Sequence, residues 1–334
     1  MRNKVSESIG GWRRVALACI AALGLITIVG SGGGGDDGGC GFDLSCYSVH
    51  GPWGPKDAFI DRQGITVQVG GTAVFSVSTR GIDSPTYQWQ RASGGGPFVD
   101  ILGATGATYT LAGAQLADDG ARFQVVVPGG NFYYSRRTSR LAVSSMPGVV
   151  FQDGEFLPAD WLVTETVNPA QNGPVHSEER VATGGNPGAF LLMVDTISAG
   201  PSSLRVFHAK QLATYEPASQ GAIYTIDFEE DCFGLASNLL LEQGERRYIA
   251  GGSACSAPTT WSAPLFVSSL RVQDFTLVDG PGCAANESCP DFSASAAPLR
   301  FGFVRGIALS AWHPAAGFTR THGIDNWKVT VWRR

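Results

Sequence analysis

The sequence predicts an all-β protein made of two β-sandwiches, a smaller one followed by a larger one. Glycine (44 residues) and proline (18 residues) are abundant, and both concentrate where a chain turns tightly. Between these turns, short runs alternate apolar and polar residues with the period of two that is typical of half-buried strands. The second half shows no helical period, so we expect strands rather than a helical core there.

The N-terminus predicts export. Residues 1–14 contain four basic residues, and an apolar run follows at 15–30. This is the pattern of a signal peptide. An uncleaved membrane anchor is the alternative, and it would be the chain's only link to a membrane. Residues 31–51 are Gly-rich and polar and predict a tether. We therefore expect the protein in the periplasm, at the cell surface or secreted.

The end of the signal resembles a bacterial lipoprotein signal. Ile28, Val29 and Gly30 precede a Gly-rich stretch, as the residues before a lipidated cysteine do. Ser31 stands where that cysteine would be, and a hydroxyl cannot form the same thioether. The sequence therefore leaves lipidation open.

The charge of the chain argues against nucleic-acid binding. After loss of residues 1–30, 20 of the 24 basic residues and 28 of the 29 acidic residues remain, a net charge of −8. Proteins that bind nucleic acids use Lys and Arg to neutralise phosphates. Sugars, proteins and divalent cations remain compatible with this charge.

Six cysteines follow the predicted signal, and an even number in an exported chain predicts disulfides. The metal-binding alternative lacks a CxxC pair or a His-rich partner motif. Sequence alone leaves several pairings open, but short separations favour three local loops. The favoured pairs are Cys40–Cys46, Cys232–Cys255 and Cys283–Cys289.

Residues 52–145 predict seven or so short strands, the size of an immunoglobulin-like sandwich. The segment resembles bacterial surface modules of that family at three points. Val77 stands where a strand-B cysteine would be, Trp89 follows it as the core tryptophan does, and residues 119–125 (DGARFQV) match the corner before strand F. Val77 and Val125 replace the bridging cysteines, and Phe123 replaces the corner tyrosine. Apolar packing around Trp89 must therefore hold this core.

Residues 146–334 predict ten or more strands and a jelly-roll sandwich, with the junction at Met146-Pro147-Gly148. The segment resembles concanavalin A-like or laminin-G-like jelly rolls and their carbohydrate-binding relatives. The resemblance rests on GGNPGAF at 184–190, QGAIYTIDFEED at 220–231 and GIDNWKVTVW at 323–332.

One predicted strand carries alternating polar residues on a single face. Thr225, Asp227 and Glu229 share that face, since side chains alternate along a strand. We predict either a solvated sheet face or a ligand-binding face. Tyr224, Ile226 and Phe228 are predicted to share the opposite face.

This strand also resembles the E-x-D-x-E motif of a family of retaining glucanases on the concanavalin A-like fold. Asp227 and Glu229 match the second and third positions, the last being the acid/base. Thr225 replaces the nucleophile, whereas retaining hydrolysis needs two carboxyl groups about 5–5.5 Å apart. Hydrolysis is therefore not the favoured prediction.

Asp325 and Asn326 offer the carboxylate and amide oxygens that calcium prefers. The alternative is a turn in which Asp325 binds the backbone before the last strand. Acidic residues at 229–231 could supply further oxygen ligands. We expect no cofactor, with calcium as the alternative.

Aromatic rings are the usual platform for sugars, because a ring face packs on the apolar face of a pyranose. Trp261 and Trp312 lie in loop-like sequence and are the predicted platforms. Three further candidates, Trp161, Tyr215 and Tyr248, are expected in the core.

These observations favour a non-enzymatic protein that recognises an extracellular glycan or a surface protein. The larger sandwich would bind, and the smaller one would act as a spacer or protein contact. A degenerate glycoside hydrolase using Asp227 and Glu229 is the first alternative. A purely structural envelope module is the second.

Overall fold

The computed structural model describes ten segments of the chain and shows an all-β fold. Its twenty described strands are joined mainly by turns, and the described helices are one short α-helix and three single 3₁₀ turns. No described helix has the length and apolar character needed to cross a membrane. The helix is α1 (Pro217–Gln220), and the 3₁₀ turns are Leu116–Asp118, Pro158–Asp160 and Val272–Asp274. The segments are 57–128, 138–168, 174–197, 202–251, 255, 259–262, 264–280, 282–283, 288–309 and 317–334.

The first eight strands form the N-terminal unit, a pair of sheets. Their bounds are β1 (Asp57–Ile60), β2 (Gly64–Gln68), β3 (Ala73–Arg80), β4 (Gln88–Ala92), β5 (Val99–Asp100), β6 (Thr108–Leu111), β7 (Arg122–Val126) and β8 (Thr138–Ser144). One sheet has the order β1-β3-β6 and the other β2-β8-β7-β4-β5. Strands β2 and β8 pair in parallel, and the remaining described pairs of this unit are antiparallel.

Aromatic packing holds the N-terminal unit together, as the missing cysteines required. Trp89 is fully buried, and the rings of Phe75 and Phe123 stack with centroids 4.1 Å apart. Trp89 Nε1 donates to the carbonyl of Gly106 at 3.0 Å, so the buried indole leaves no donor unpaired.

The remaining strands form the C-terminal unit, a larger antiparallel sandwich. Their bounds are β9 (Val149–Asp153), β10 (Trp161–Asn168), β11 (Val175–Gly185), β12 (Gly188–Ile197), β13 (Ser202–Tyr215), β14 (Ile223–Phe233), β15 (Asn238–Gln243), β16 (Arg246–Ala250), β17 (Leu265–Leu270), β18 (Phe275–Leu277), β19 (Leu299–Leu309) and β20 (Phe318–Arg333). One sheet has the order β10-β13-β19-β15-β16-β18. The other has the order β11-β12-β20-β14-β17, and β9 also pairs with β20.

The core of the C-terminal unit lies between its two sheets. Trp161 and Trp327 meet edge to face with centroids 5.2 Å apart, and Trp161 also meets Phe303 at 5.3 Å. Alternation along β20 puts Trp327, Val329 and Val331 into this core.

The all-β prediction is confirmed, but strands β1, β9 and β11 were not predicted. Strand β11 reads VHSEERVATGG and stays largely exposed along its length. It is an edge strand of its sheet and has little apolar alternation, which removes the period-two signal. The predicted junction at Met146-Pro147-Gly148 lies between β8 and β9.

The two units pack directly on each other where β2 meets β17. A Cβ on Gly64 would lie 2.8 Å from the carbonyl oxygen of Ser268, so this approach requires glycine. The guanidinium of Arg62 lies 3.5 Å from the ring centroid of Phe266. Asp119 of the N-terminal unit bonds Tyr224 and Arg334 of the C-terminal unit.

Candidate functional site

Strands β14 and β20 carry most of the predicted site residues and separate them into two places. Asp227 pairs in register with Thr330, and Asp231 pairs with Asp325. Asp227 and Glu229 therefore lie beside the N-terminal unit, whereas Asp325 and its neighbours lie farther along the same strand pair.

The predicted solvated face of β14 is wrong for two of its three residues. Thr225 is fully buried, and Asp227 is only 8% exposed. The cause is the N-terminal unit, whose Thr66 lies against both side chains. Glu229 keeps partial exposure at the rim of this contact.

The prediction that Tyr224 shares a face with Ile226 and Phe228 is also wrong. The register between β14 and β20 shifts between Ile223 and Thr225, which reverses the alternation at that point. Ile223 therefore joins the core, and Tyr224 turns outward to Asp119 and Arg271. Ile226 and Phe228 do share one face, which is buried in the core.

Asp227 is the centre of a polar cluster between the units. We define the interface cluster as Thr66, Thr225, Asp227, Ser269 and Trp332. Asp227 accepts from the Ser269 backbone N–H at 2.6 Å, from Thr66 Oγ1 at 3.1 Å and from Trp332 Nε1 at 2.8 Å. Burial raises the pKa of Asp227 to about 6, although these three donors act to lower it.

A cleft of about 290 Å³ opens at the edge of this cluster, and both Asp227 and Glu229 line it. Its charged groups are already engaged by protein groups. Lys328 Nζ donates to Glu229 at 3.0 Å, and Arg62 stacks on Phe266. These pairings favour a packed polar joint over a receptive pocket.

The predicted turn before the last strand is wrong, because β20 begins at Phe318 and already contains Asp325 and Asn326, which face the turn between β11 and β12. We define the turn cluster as Asn186, Asp231, Asp325 and Asn326. Asp325 accepts from the backbone N–H of Asn186 at 2.6 Å and of Asn326 at 2.7 Å. Asn326 has φ of 49°, a left-handed conformation that asparagine tolerates better than most residues. Its Nδ2 donates to Asp231 and to the carbonyl of Asn186, each at 2.7 Å.

The turn cluster brings carboxylates together without a described basic partner. Burial raises the pKa of Asp325, and the charges of Asp231 and Glu155 raise it further. Clustered oxygens of this kind suit calcium. The same contacts also hold the bulge of β20 against the turn between β11 and β12, so the calcium site stays a prediction.

Trp261 lies close to the turn cluster, an association that the sequence did not predict. Its Nε1 donates to the carbonyl of Gly184 at 2.8 Å. The next residue, Gly185, is the one whose backbone approaches the Asp325 carboxylate. Phe190 and Phe233 meet the indole at 5.3 and 5.0 Å in T-shaped contacts. The indole is thus fixed in orientation while it remains partly exposed.

The remaining candidates divide between the core and the undescribed part of the chain. Trp161, Tyr215 and Tyr248 are buried, as expected. Trp312, the predicted signal at 1–30, the tether and Cys40–Cys46 lie outside the described residues. The pairs Cys232–Cys255 and Cys283–Cys289 are disulfides, as predicted, which is consistent with an exported protein.

The structure also assembles a polar group that sequence reasoning missed. We define the histidine cluster as His176, Glu178, Asp195, His208 and His322. Its members come from β11, β12, β13 and β20, and all but Glu178 have buried or nearly buried side chains. The alternation of His176 and Glu178 on one strand face was the only local signal. Burial acts to lower the pKa of His176, but hydrogen bonds to Asp195 and Glu178 raise it to about 9.

Neither protein-family models nor curated proteins match the sequence. Among solved structures, a similar chain is a marsupial T cell receptor, with 10% identity and a TM-score of 0.23. The match covers 46% of this chain and 93% of that chain. Similarity at this level carries no inference about function.

Proposed function

We propose that this protein is an exported, non-enzymatic binding protein that recognises a glycan or a surface protein through its C-terminal unit. In this proposal the N-terminal unit is an immunoglobulin-like module, and the C-terminal unit is a concanavalin A-like jelly roll. The two units contact each other through the interface cluster, and in this proposal the N-terminal unit sets the orientation of the binding unit.

The observation that carries the proposal is the setting of Trp261. The ring is partly exposed, its orientation is fixed by Gly184, Phe190 and Phe233, and the polar turn cluster lies beside it. Sugar sites combine an aromatic platform with a few fixed polar groups in this way. A fixed ring also loses little conformational entropy when a ligand binds.

The carboxylates of the interface cluster support catalysis less well. Asp227 accepts three hydrogen bonds from protein donors, and Thr225 occupies the position of the nucleophile. A hydrolase would need a second carboxyl group facing Asp227 across an open site. Glu229, the nearest candidate on the strand, is paired with Lys328.

A glycan array probed with the full-length chain tests the proposal, followed by affinity measurement on the best glycan. We expect Trp261→Ala to weaken binding by at least about tenfold, because central aromatic contacts dominate interface energetics. Phe59→Ala, which removes an exposed ring of the N-terminal unit, is the matched control and should bind as the parent does.

Other outcomes would redirect the proposal. Sugar release that disappears in Asp227→Asn would favour the hydrolase alternative. If the chain is retained on no glycan or surface protein and releases no sugar, the structural module would be favoured. Equal binding by the parent and Trp261→Ala would move the binding surface away from Trp261.

A further inference from the structure

The histidine cluster combines nitrogen and oxygen ligands from both sheets of the C-terminal unit. His208 Nε2 lies 2.6 Å from Glu178 Oε2, and His176 Nε2 lies 3.1 Å from the same oxygen. One ligand atom from each of these three residues falls within 4.8 Å of the others. His176 and Glu178 belong to β11, whereas His208 reaches in from β13 of the opposite sheet.

These ligand atoms lie close enough together to surround a small metal ion after a modest adjustment. Two ligands at about 2.0–2.1 Å from a tetrahedral zinc ion lie roughly 3.3 Å apart. Small outward movements of Glu178 and His208 would therefore suffice to admit the ion. Two imidazoles and one carboxylate suit zinc and its neighbours in the transition series, whereas calcium prefers oxygen ligands alone.

The second layer of contacts orients the ligands as known metal sites do. Asp195 Oδ1 accepts a hydrogen bond from His176 Nδ1 at 2.6 Å, which leaves Nε2 directed at Glu178. His322 Nε2 lies 2.9 Å from Asp195 Oδ2 on the other side of this carboxylate. His208 stacks on Phe303 with ring centroids 4.2 Å apart. A carboxylate behind a ligating histidine fixes its tautomer and ring orientation.

We propose that His176, Glu178 and His208 bind a divalent transition metal of the zinc type. The three residues leave a fourth position for water, and Asp195 is a positioning residue. Binding displaces the protons that the two Nε2 atoms share with Glu178, since metal-bound histidine is neutral. The Glu178 side chain is 28% exposed on the edge strand β11, which gives the ion a route from solvent.

The ion would fasten β11, an edge strand of one sheet, to β13, an inner strand of the other. Strand β11 is largely polar and exposed, so apolar burial contributes little to its attachment. A metal bridge from β11 to β13 would supply that attachment. This site is distinct from the Trp261 surface, and its test does not depend on glycan binding.

Cobalt titration of the full-length, disulfide-bonded chain tests the proposal after chelator treatment and dialysis. We expect visible absorption that saturates at one Co²⁺ per chain and lacks the thiolate bands of a cysteine site. Zinc should displace the bound cobalt, and calcium should not. Glu178→Gln and His176→Gln should each weaken binding by at least about 100-fold, the upper range for losses in the second layer. Glu179→Gln, an exposed neighbour on β11, should bind as the parent does.

Circular dichroism and thermal melting establish that each variant is folded before titration. His176→Gln serves as the second variant if Glu178→Gln does not fold. The proposal is overturned if the folded parent binds no cobalt at millimolar concentration. It is equally overturned if a folded Glu178→Gln or His176→Gln binds cobalt as tightly as the parent.

Discussion

The interface cluster and the histidine cluster are both buried groups of polar side chains, yet they are completed in different ways. Around Asp227, protein donors fill both carboxylate oxygens, and Thr66 Oγ1 also lies 2.9 Å from Ser269 Oγ. In the histidine cluster, Nδ1 of His208 and both ring nitrogens of His322 have no hydrogen-bond partner among the described residues.

This difference separates a structural joint from a candidate ligand site. Buried polar groups that exist only to hold a fold are almost always fully hydrogen-bonded. The side chains of the interface cluster all have hydrogen-bond partners, and the cluster joins two units. The histidine cluster is not fully hydrogen-bonded, and its ligand atoms converge on one point next to solvent. The four predictions that follow test each side of this comparison, starting with the largest expected effect.

Asp227→Asn should remove a pH dependence of stability. The pKa of Asp227 in the folded protein is about 6, above the ordinary value of 3.8, so the folded chain holds the proton more tightly. Between pH 4 and 6 the folded state therefore binds more protons, and the free energy of unfolding falls as pH rises. The fall amounts to about 3 kcal/mol at most.

Urea denaturation at a series of pH values measures this effect as the difference between the parent and Asp227→Asn. Glu165→Gln, an exposed carboxylate of β10, is the control and should leave the pH profile of the parent unchanged. A profile of Asp227→Asn that runs parallel to the parent's from pH 4 to 6 would show that Asp227 is not the group responsible.

Zinc should stabilise the parent chain through the histidine cluster. A ligand that binds only the folded state at 100 times its dissociation constant raises the free energy of unfolding by about 2.7 kcal/mol. Denaturation of the disulfide-bonded chain with and without zinc measures the increase. Glu178→Gln should lose the increase and Asp227→Asn should keep it, and the reverse pattern would contradict the comparison.

Thr66→Val should loosen the joint between the units. The substitution keeps the shape of the side chain but removes a hydroxyl that lies within hydrogen-bond distance of Thr225, Asp227 and Ser269. We expect a loss of about 1–2 kcal/mol in the free energy of unfolding. Thr110→Val on the exposed face of β6 is the matched control, with an expected change within about 0.5 kcal/mol.

Glu229→Gln should have the smallest effect. Its ion pair with Lys328 is partly exposed, with side-chain exposures of 26% and 35%. Pairs of this kind contribute about 0–1 kcal/mol, because solvent screens them. Denaturation in low and high salt measures the contribution, which should shrink as salt increases. A loss as large as that of Thr66→Val would mean that the cleft residues are part of the joint.

Local patterns predicted most strands, part of the core and two disulfides, because these features depend on residues that are close together in the sequence. The resemblance to immunoglobulin-like domains placed Trp89 in the core, and the short separations predicted the Cys232–Cys255 and Cys283–Cys289 pairs. Strand β11 was not predicted, because an exposed edge strand does not need alternating apolar residues.

The sites were less accessible to sequence reasoning because they are assembled over long distances. Thr66 and Asp227 are 161 positions apart, and no local pattern shows that one unit buries a residue of the other. The same limit applies to His176 and His208, which come from different sheets. Trp261 and Asp325 were both predicted, but their proximity depends on the turn between β11 and β12.

Anomalous diffraction at the zinc edge, from crystals of the full chain grown with zinc, tests the difference between the two clusters most directly. We predict one peak at about 2.0–2.1 Å from the Nε2 atoms of His176 and His208, beside Glu178. We predict no peak beside Asp227. An empty histidine cluster, or a zinc ion bound at Asp227, would contradict this account.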